Sequence, residues 1–151
     1  MNNKEEIRFF SPEKEYGFLS NYFESPIMLK KRKWKSVEHY YQAQKFAGTI
    51  HEDRVREIDS PNGAKSYAHS LHWLWRYDWE EVKIEVMREA VRAKFFQSAI
   101  LANELLATGD AVLIENSKKD YLWGIGDGTG KSLLGKMLME IREELMEQKE
   151  R

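Results

Sequence analysis

The chain contains no cysteine, which excludes a disulfide framework, a thiolate nucleophile and a cysteine-ligated zinc ion. That absence predicts a cytoplasmic protein. An excess of charge of one sign is also lacking, because 24 lysines and arginines stand against 25 aspartates and glutamates. No overall electric field therefore draws the protein onto nucleic acid or an anionic membrane, and a nucleic-acid partner would need a local patch.

Long apolar runs are missing as well. No stretch approaches the roughly 20 apolar residues of a membrane span, and the polar start of the chain is not followed by the apolar core of a signal peptide. We therefore expect no membrane partner. The length of 151 residues suits one domain, 1–151, and a hydrophobic content of 42% supplies a packed core.

Apolar periodicity and capping residues predict an α+β fold, a mainly helical single domain with a few short strands. Strands are expected at 7–10, 27–29, 33–34 and 112–114. Helices are expected at 37–47 between Ser36 as N-cap and Gly48, and at 51–58, 61–69, 101–107 and 133–146, with the chain fraying from residue 147. The longest helix should run from Asp78, capped by that side chain with Glu81 reaching back, to about residue 96.

The helix after Ser36 carries a first group of residues that suits chemistry. At about 100° per residue, one face presents Glu38, Tyr41, Gln42 and Lys45. A carboxylate and an amine two turns apart fit a substrate with a reacting centre and a separate anion. The spacing alone also fits a structural role, because the helix dipole favours Glu38 near an N-terminus and Tyr41 can be a core residue.

A glycine-rich segment at 120–131 carries the second group. Alternating glycines before a helix let backbone amides approach a ligand, so the segment can cradle a phosphate. It lacks the glycine that a Walker A loop needs where Ile125 stands, and it does not complete a G-x-G-x-x-G pattern. A flexible turn is the alternative, although Trp123, Asp120 and Asp127 are unusual in a simple spacer.

Aromatic residues are abundant enough to stack on a nucleoside, although most of them must lie in the core. The four histidines lack the spacing of a metal site, so no metal is expected. A G-x-S-x-G nucleophile elbow is also missing. The sequence does not indicate whether the protein is a monomer or an oligomer.

Several motifs occur together in this chain in a specific order. They include Ser36-x-Glu38-x-x-Tyr41-Gln42-x-x-Lys45, Trp123-Gly-x-Gly126 and Leu134-Gly135. Supporting pieces are Tyr16-Gly-Phe-Leu-Ser-Asn-Tyr22, Pro61-x-x-Ala64-Lys65 and Ala90-Val-x-x-Lys94-Phe95. With these motifs the sequence resembles the NADAR (YbiA-like) family over nearly its entire length.

The resemblance implies an α+β, mainly helical fold and N-glycosidase chemistry on ribosyl or ADP-ribosyl substrates. By position, the family's acid corresponds to Glu38, its active-site tryptophan to Trp123 and its second acid to Asp127, with Asp120 as the alternative. Further residues are expected to line the pocket: Asn21, Tyr41, Lys45, Trp79, Gly124 and Gly126. The chain departs from the family pattern at Tyr67-Ala-His69 and at Ser132, where an asparagine is common, and both departures bear on substrate choice.

Cleavage of a ribosyl C1′–N bond places positive charge on the sugar and negative charge on the leaving base. One of Glu38 and Asp127 would activate water and stabilise the sugar cation, while the other would assist the leaving nitrogen or hold ribose hydroxyls. Trp123 would stack on the base or sugar. Lys45 would neutralise a phosphate, or attack the sugar carbon if burial lowers its pKa.

No metal or organic cofactor is required by this scheme. The expected partner is a small ribosyl phosphate, such as a ribosylamino-pyrimidine intermediate of riboflavin synthesis, or ADP-ribosyl-guanine in DNA. A non-catalytic module that binds ADP-ribose or a nucleotide is the alternative. Two carboxylates in one pocket argue against that alternative, because they repel a pyrophosphate. A helical interaction protein that uses the acidic face of the last helix is a third and weaker reading.

Overall fold

The computed structural model describes residues 4–151 and has the predicted α+β, mainly helical fold. The strands are β1 (Glu6–Phe9), β2 (Ile27–Leu29), β3 (Arg32–Trp34) and β4 (Val112–Glu115). The helices are α1 (Val37–Gln44), α2 (Ile50–Glu57), α3 (Pro61–Ser70), α4 (Trp79–Phe96), α5 (Ala99–Leu106) and α6 (Leu133–Glu150). The described chain forms two compact units, one from residues 4–23 and Ser98–Arg151, the other from Glu24–Gln97.

The first unit is built on a parallel pair of strands. β1 pairs with β4, with Ile7 opposite Leu113, and both of these side chains are buried. Helix α6 packs on β4, and α5 packs on α6. Gly135 makes the α6 contact possible, because a Cβ at this position would lie 2.0 Å from the carbonyl oxygen of Leu113.

The second unit contains a β hairpin and four helices. β2 and β3 lie where strands were predicted and pair in antiparallel fashion, and Lys30 and Lys31 form the turn between them. Helix α1 contacts α2, α3 and α4, and all eight of its residues are buried. The polar side chains of α1 are therefore buried together with its apolar ones. Because burial removes them from water, they need hydrogen-bond partners inside the protein.

Serine and threonine caps begin the helices around α1. The hydroxyl of Ser36 accepts from His39 N, which confirms the predicted cap, and Ser60 caps α3 in the same way before Pro61. Thr49 caps α2. His39 also connects two elements: Nε2 donates to Ile58 O at 2.8 Å, which leaves Nδ1 to accept from the Ser36 hydroxyl at 2.7 Å. Burial lowers the pKa of His39, so this histidine is a neutral structural link.

Three predicted helix ends are wrong. Asp78 makes no side-chain cap at the start of α4, because its two carboxylate oxygens accept hydrogen bonds from Nε and Nη2 of Arg76. Helix α1 ends at Gln44 rather than near residue 47, since the amides of Lys45 and Phe46 turn to carbonyls three residues back. Helix α6 continues to Glu150 instead of fraying from residue 147.

Helix α4 buries several of its apolar side chains, including Met87, Ala90, Val91 and Phe95. Ile84 is an exception and is exposed. Lys94 is fully buried on the same helix, and this burial lowers its pKa to about 7. None of the helices in residues 4–151 combines the length and apolar character needed to cross a bilayer.

Candidate active site

The face of α1 predicted from the sequence lies inside the second unit. Glu38, Tyr41, Gln42 and Lys45 are all buried, and each leaves at most 7% of its surface exposed. Tyr41 meets Trp79 of α4 edge to face, with ring centroids 5.0 Å apart. The structure therefore brings together four of the predicted site residues, Glu38, Tyr41, Lys45 and Trp79.

Lys45 points its ammonium group into an aromatic enclosure. Its Nζ atom lies 3.8 Å from the ring centroid of Trp75, 5.5 Å from that of Tyr41 and 5.7 Å from that of Trp79. Aromatic faces attract a cation, but they replace only part of the hydration that a buried ammonium loses. Trp75 was one of many aromatic residues in the sequence, and its position three residues before Asp78 gave no sign of this contact.

The enclosure makes the amine of Lys45 easier to deprotonate. Burial lowers the pKa of Lys45 to about 8, while the charge of Glu38 partly opposes that shift. Lys65 and Lys83 add to the lowering, and Glu80 opposes it. A lysine with such a pKa supplies a substantial fraction of neutral amine in mildly alkaline solution, as nucleophilic lysines require.

Short contacts fix the enclosure in place. The indole N–H of Trp75 donates to Ala68 O at 2.8 Å, which ties this ring to α3. The backbone N–H of Arg76 donates to Lys45 O at 2.7 Å, which ties the same segment to the end of α1. His69 lies edge to face with Trp75 at 5.6 Å between centroids. The position of the ring over Nζ is therefore set by hydrogen bonds at two places.

Gln42 orients the carboxyl group of Glu38. Its Nε2 donates to Glu38 Oε2 at 2.7 Å, one turn along the helix. Among residues 4–151, the Oε1 atom of Gln42 is the buried side-chain oxygen or nitrogen that has no hydrogen-bond partner. Helical spacing predicts that Gln42 lies on this face, but it gives no sign of this hydrogen bond.

A second buried carboxylate in this unit, Glu52, has a structural role. It accepts from Lys30 Nζ at 2.7 Å, from Gln44 Nε2 at 2.8 Å and from Gly48 N at 3.0 Å. Burial alone would raise its pKa, but these hydrogen bonds outweigh burial and the pKa of Glu52 is lowered. Glu52 thereby joins the hairpin turn, α1 and α2.

The glycine-rich loop belongs to the first unit and bonds largely to itself. Its amides at Ile125 and Gly126 donate to Glu115 O and Ser117 O, and those at Gly128 and Gly130 both donate to Ile125 O. These N–H groups are therefore engaged, which corrects the expectation that the loop as a whole offers its amides to a phosphate. Gly124 packs closely against its surroundings, since a Cβ there would lie 2.1 Å from Glu115 Oε2 and 3.0 Å from Asp120 O.

The two aspartates of this loop accept hydrogen bonds from residues two or three positions further along the chain. Asp127 is exposed, and its Oδ1 accepts from the hydroxyl of Thr129 at 2.7 Å and from Thr129 N at 3.1 Å. These bonds lower the pKa of Asp127, which makes it a carboxylate at neutral pH and a poor proton donor. Asp120 Oδ1 accepts from the backbone N–H groups of Leu122 and Trp123, which gives Asp120 a structural role.

Trp123 and Asn21 are also buried residues of the first unit. Asn21 follows Ser20, whose hydroxyl accepts from Tyr22 N at the end of a 3-10 turn at Gly17–Leu19. The catalytic pairing of Glu38 with Asp127, and the substrate contacts of Asn21, Trp123, Gly124 and Gly126, stay predictions. Within residues 4–151, no group of three or more His, Asp or Glu side chains is arranged to hold a metal ion.

Comparisons with known proteins agree with the sequence motifs. A family model described as the NADAR domain matches residues 8–146. The chain is 43% identical over 140 residues to the N-glycosidase YbiA of Escherichia coli (strain K12), covering 92% of this chain and 88% of that protein. It is 40% identical over 143 residues to an N-glycosidase of Nostoc punctiforme, covering 92% of each.

A longer relative and a solved structure extend the comparison. The chain is 43% identical over 142 residues to a riboflavin biosynthesis protein of Vibrio vulnificus (strain YJ016), but it spans only 39% of the length of that protein. The NMR structure of the E. coli protein YbiA superposes with a TM-score of 0.88 at 41% identity, covering 99% of this chain and 89% of that one.

Proposed function

The chain belongs to the NADAR domain family, and from this premise we propose that it hydrolyses the C1′–N bond of a ribosylated or ADP-ribosylated base. Its coarse activity is that of a hydrolase of N-glycosyl bonds, in line with the N-glycosidases that it resembles over 92% of its length. Residues 1–151 are proposed to work as one domain in this reaction.

The observation that carries the mechanism is the enclosed amine of Lys45 on the same helix face as Glu38. Neutral Nζ attacks C1′, and the C1′–N bond to the base breaks as the C1′–Nζ bond forms. The electron pair of the broken bond goes to the leaving nitrogen, which takes up the proton that Nζ loses as the new bond forms. Of the two roles that the sequence left open for Lys45, its lowered pKa favours nucleophilic attack over phosphate neutralisation.

Glu38 then serves the release of the sugar. The ribose ring opens to an imine on Nζ as the remaining Nζ proton passes to the ring oxygen, and Glu38 takes a proton from the water that adds to C1′. Glu38 returns that proton to Nζ as the C1′–Nζ bond breaks, so that the net reaction consumes one water and releases one base and one free sugar. The hydrogen bond from Gln42 supports this role, because it holds Glu38 in one orientation. This chemistry requires no metal or organic cofactor.

The proposed substrate is a ribosylamino-pyrimidine phosphate, with ADP-ribosyl-guanine carried on DNA as the second possibility. The ribosylamino-pyrimidine phosphate is favoured because the Vibrio vulnificus relative is named a riboflavin biosynthesis protein, although this chain spans 39% of that protein. Trp123 is proposed to stack on the base or sugar, and ionised Asp127 to stabilise positive charge rather than to protonate the base.

Incubation with a substrate panel tests the proposal. The panel contains a ribosylamino-pyrimidine phosphate, ADP-ribosylated guanine DNA, NAD and ADP-ribose, and mass spectrometry detects a liberated base. Calorimetry on the same sample measures affinity for ADP-ribose. We expect release of a base from at least one ribosyl substrate. Tight binding of ADP-ribose without release of any base would instead identify a non-catalytic binding module.

A further inference from the structure

The side-chain amide of Gln42 forms a hydrogen bond through its nitrogen but not through its oxygen. Gln42 is 2% exposed, and its Nε2 donates to Glu38 Oε2. Its Oε1 is buried without a partner among residues 4–151. Buried polar atoms in native proteins nearly always have a hydrogen-bond partner, so an unpaired acceptor beside a candidate catalytic acid calls for an explanation.

The orientation of this amide is set by its neighbour. Turning the amide over would bring Oε1 against Glu38 Oε2, where an ionised carboxylate has no proton to share. The nitrogen therefore faces Glu38, and the oxygen is left as an acceptor. Gln42 cannot satisfy both ends through Glu38 alone, and a donor from outside the protein would complete its hydrogen bonding.

We propose that Gln42 is a specificity-determining residue, and that Oε1 accepts a hydrogen bond from a hydroxyl group of the ribosyl moiety of the substrate. This inference rests on the proposed function, since it takes its ligand from the ribosylated substrates named above. Gln42 then has two roles: its Nε2 positions Glu38, and its Oε1 recognises the sugar. A site whose buried acceptor loses its donor discriminates strongly against the analogue that lacks the hydroxyl.

Methyl ribofuranoside 5-phosphate, with its 2-deoxy and 3-deoxy analogues, tests the proposal by calorimetry. These probes have no C1′–N bond to cleave and no free aldehyde to react with Lys45. We expect the wild-type protein to bind the ribo probe roughly tenfold more tightly than one of the deoxy analogues. Gln42→Met has similar volume but no acceptor, and it should bind all three probes with equal affinity.

Gln44→Met is the matched control. Gln44 is also buried on α1, but its amide bonds to Lys30 and Glu52. The Gln44→Met variant should prefer the ribo probe over the deoxy analogue to the same extent as the wild-type protein. Equal discrimination in Gln42→Met and the wild-type protein would overturn the proposal, as would a wild-type protein that does not discriminate or binds none of the probes. Failure of the proposed function would appear separately, as absence of base release from the substrate panel.

A measurement on the wild-type protein keeps the proposal testable should Gln42→Met not fold. The ¹³Cδ resonance of Gln42 should shift when the ribo probe is added, and should shift less with the deoxy analogue that binds more weakly. The resonance of Gln44 should stay in place with either probe. A Gln42 resonance that responds equally to all three probes, or to none, would overturn the proposal.

Discussion

Lys45 Nζ lies 3.8 Å from the centre of the Trp75 ring, in an enclosure that Tyr41 and Trp79 complete. This contact connects the end of α1 to the segment before α4, and it keeps water from the amine. Because burial is the largest cause of the lowered pKa of Lys45, the ring that lies nearest should control that pKa.

Replacement of Trp75 by leucine should shift the pH dependence of turnover. Water would reach Nζ, and the pKa of Lys45 would rise from about 8 toward its ordinary 10.5. Loss of the attraction between the Trp75 ring and the ammonium group would lower the pKa of Lys45, but this effect is smaller than the rise caused by water. The neutral amine exists above the pKa, so the acidic limb of the profile of kcat against pH should move to higher pH.

Trp73→Leu is the matched control, because Trp73 lies two residues away and is 67% exposed. Its profile should match that of the wild-type protein. A Trp75→Leu variant whose kcat falls equally at every pH would show that the ring has a structural role and does not set the protonation of Lys45.

Replacement of Lys45 by arginine separates charge from nucleophilicity. Arginine keeps a positive charge but stays protonated, so it cannot attack C1′. We expect kcat to fall by about 10³-fold or more. Sodium borohydride should reduce the imine and leave the sugar on Lys45 of the wild-type protein, as read by peptide mass spectrometry. Activity within about tenfold of wild type in Lys45→Arg would instead favour phosphate neutralisation.

Glu38→Gln should abolish turnover and leave affinity for substrate and the melting temperature close to the wild-type values. The substituted side chain has nearly the same shape, and its oxygen can still accept from Gln42, but it cannot take a proton from water. Steady-state assays, calorimetry and thermal melting measure the three quantities. Glu52→Gln provides the contrast, because Glu52 accepts three hydrogen bonds in a structural role and its loss should lower the melting temperature.

Sequence periodicity predicted the fold class, the strands and the helices closely, because each element carries its own pattern and caps. Ser36 and Pro61 began helices where expected. The capping of α4 by Asp78 failed because a neighbouring arginine competes for the same carboxylate, and local rules do not rank such competitors. The family and the hydrolase class were predicted from motifs and are confirmed.

The site was predicted in part. Helical spacing correctly placed Glu38, Tyr41 and Lys45 on one face, since that face follows from 100° per residue alone. The contact of Lys45 with Trp75 depends on how α1 packs against a segment 30 residues away, which no local pattern encodes. The full burial of Lys94 was missed for a related reason, because charged residues are expected on helix surfaces.

Trp123→Ala should weaken both substrate binding and turnover if the indole stacks on the base or sugar. Base–aromatic stacking contributes about 1–3 kcal/mol, which predicts a loss of affinity of roughly 5- to 150-fold. Calorimetry with substrate in the inactive Glu38→Gln background measures this loss directly. Trp123→Phe keeps a ring and should retain most of the affinity. Unchanged affinity in Trp123→Ala, with a lowered melting temperature, would identify a core residue only.

The hairpin turn offers a test of stability away from the site. Lys30 and Lys31 have φ angles of 54° and 60°, a left-handed conformation that costs most side chains about 1–2 kcal/mol relative to glycine. Glycine at 31 relieves this strain but raises the entropy of the unfolded chain, so Lys31→Gly should add about 0.5–1 kcal/mol to the free energy of unfolding in urea. Lys33→Gly, in the extended strand β3, should instead destabilise by a similar amount. Destabilisation by both substitutions would contradict a strained turn.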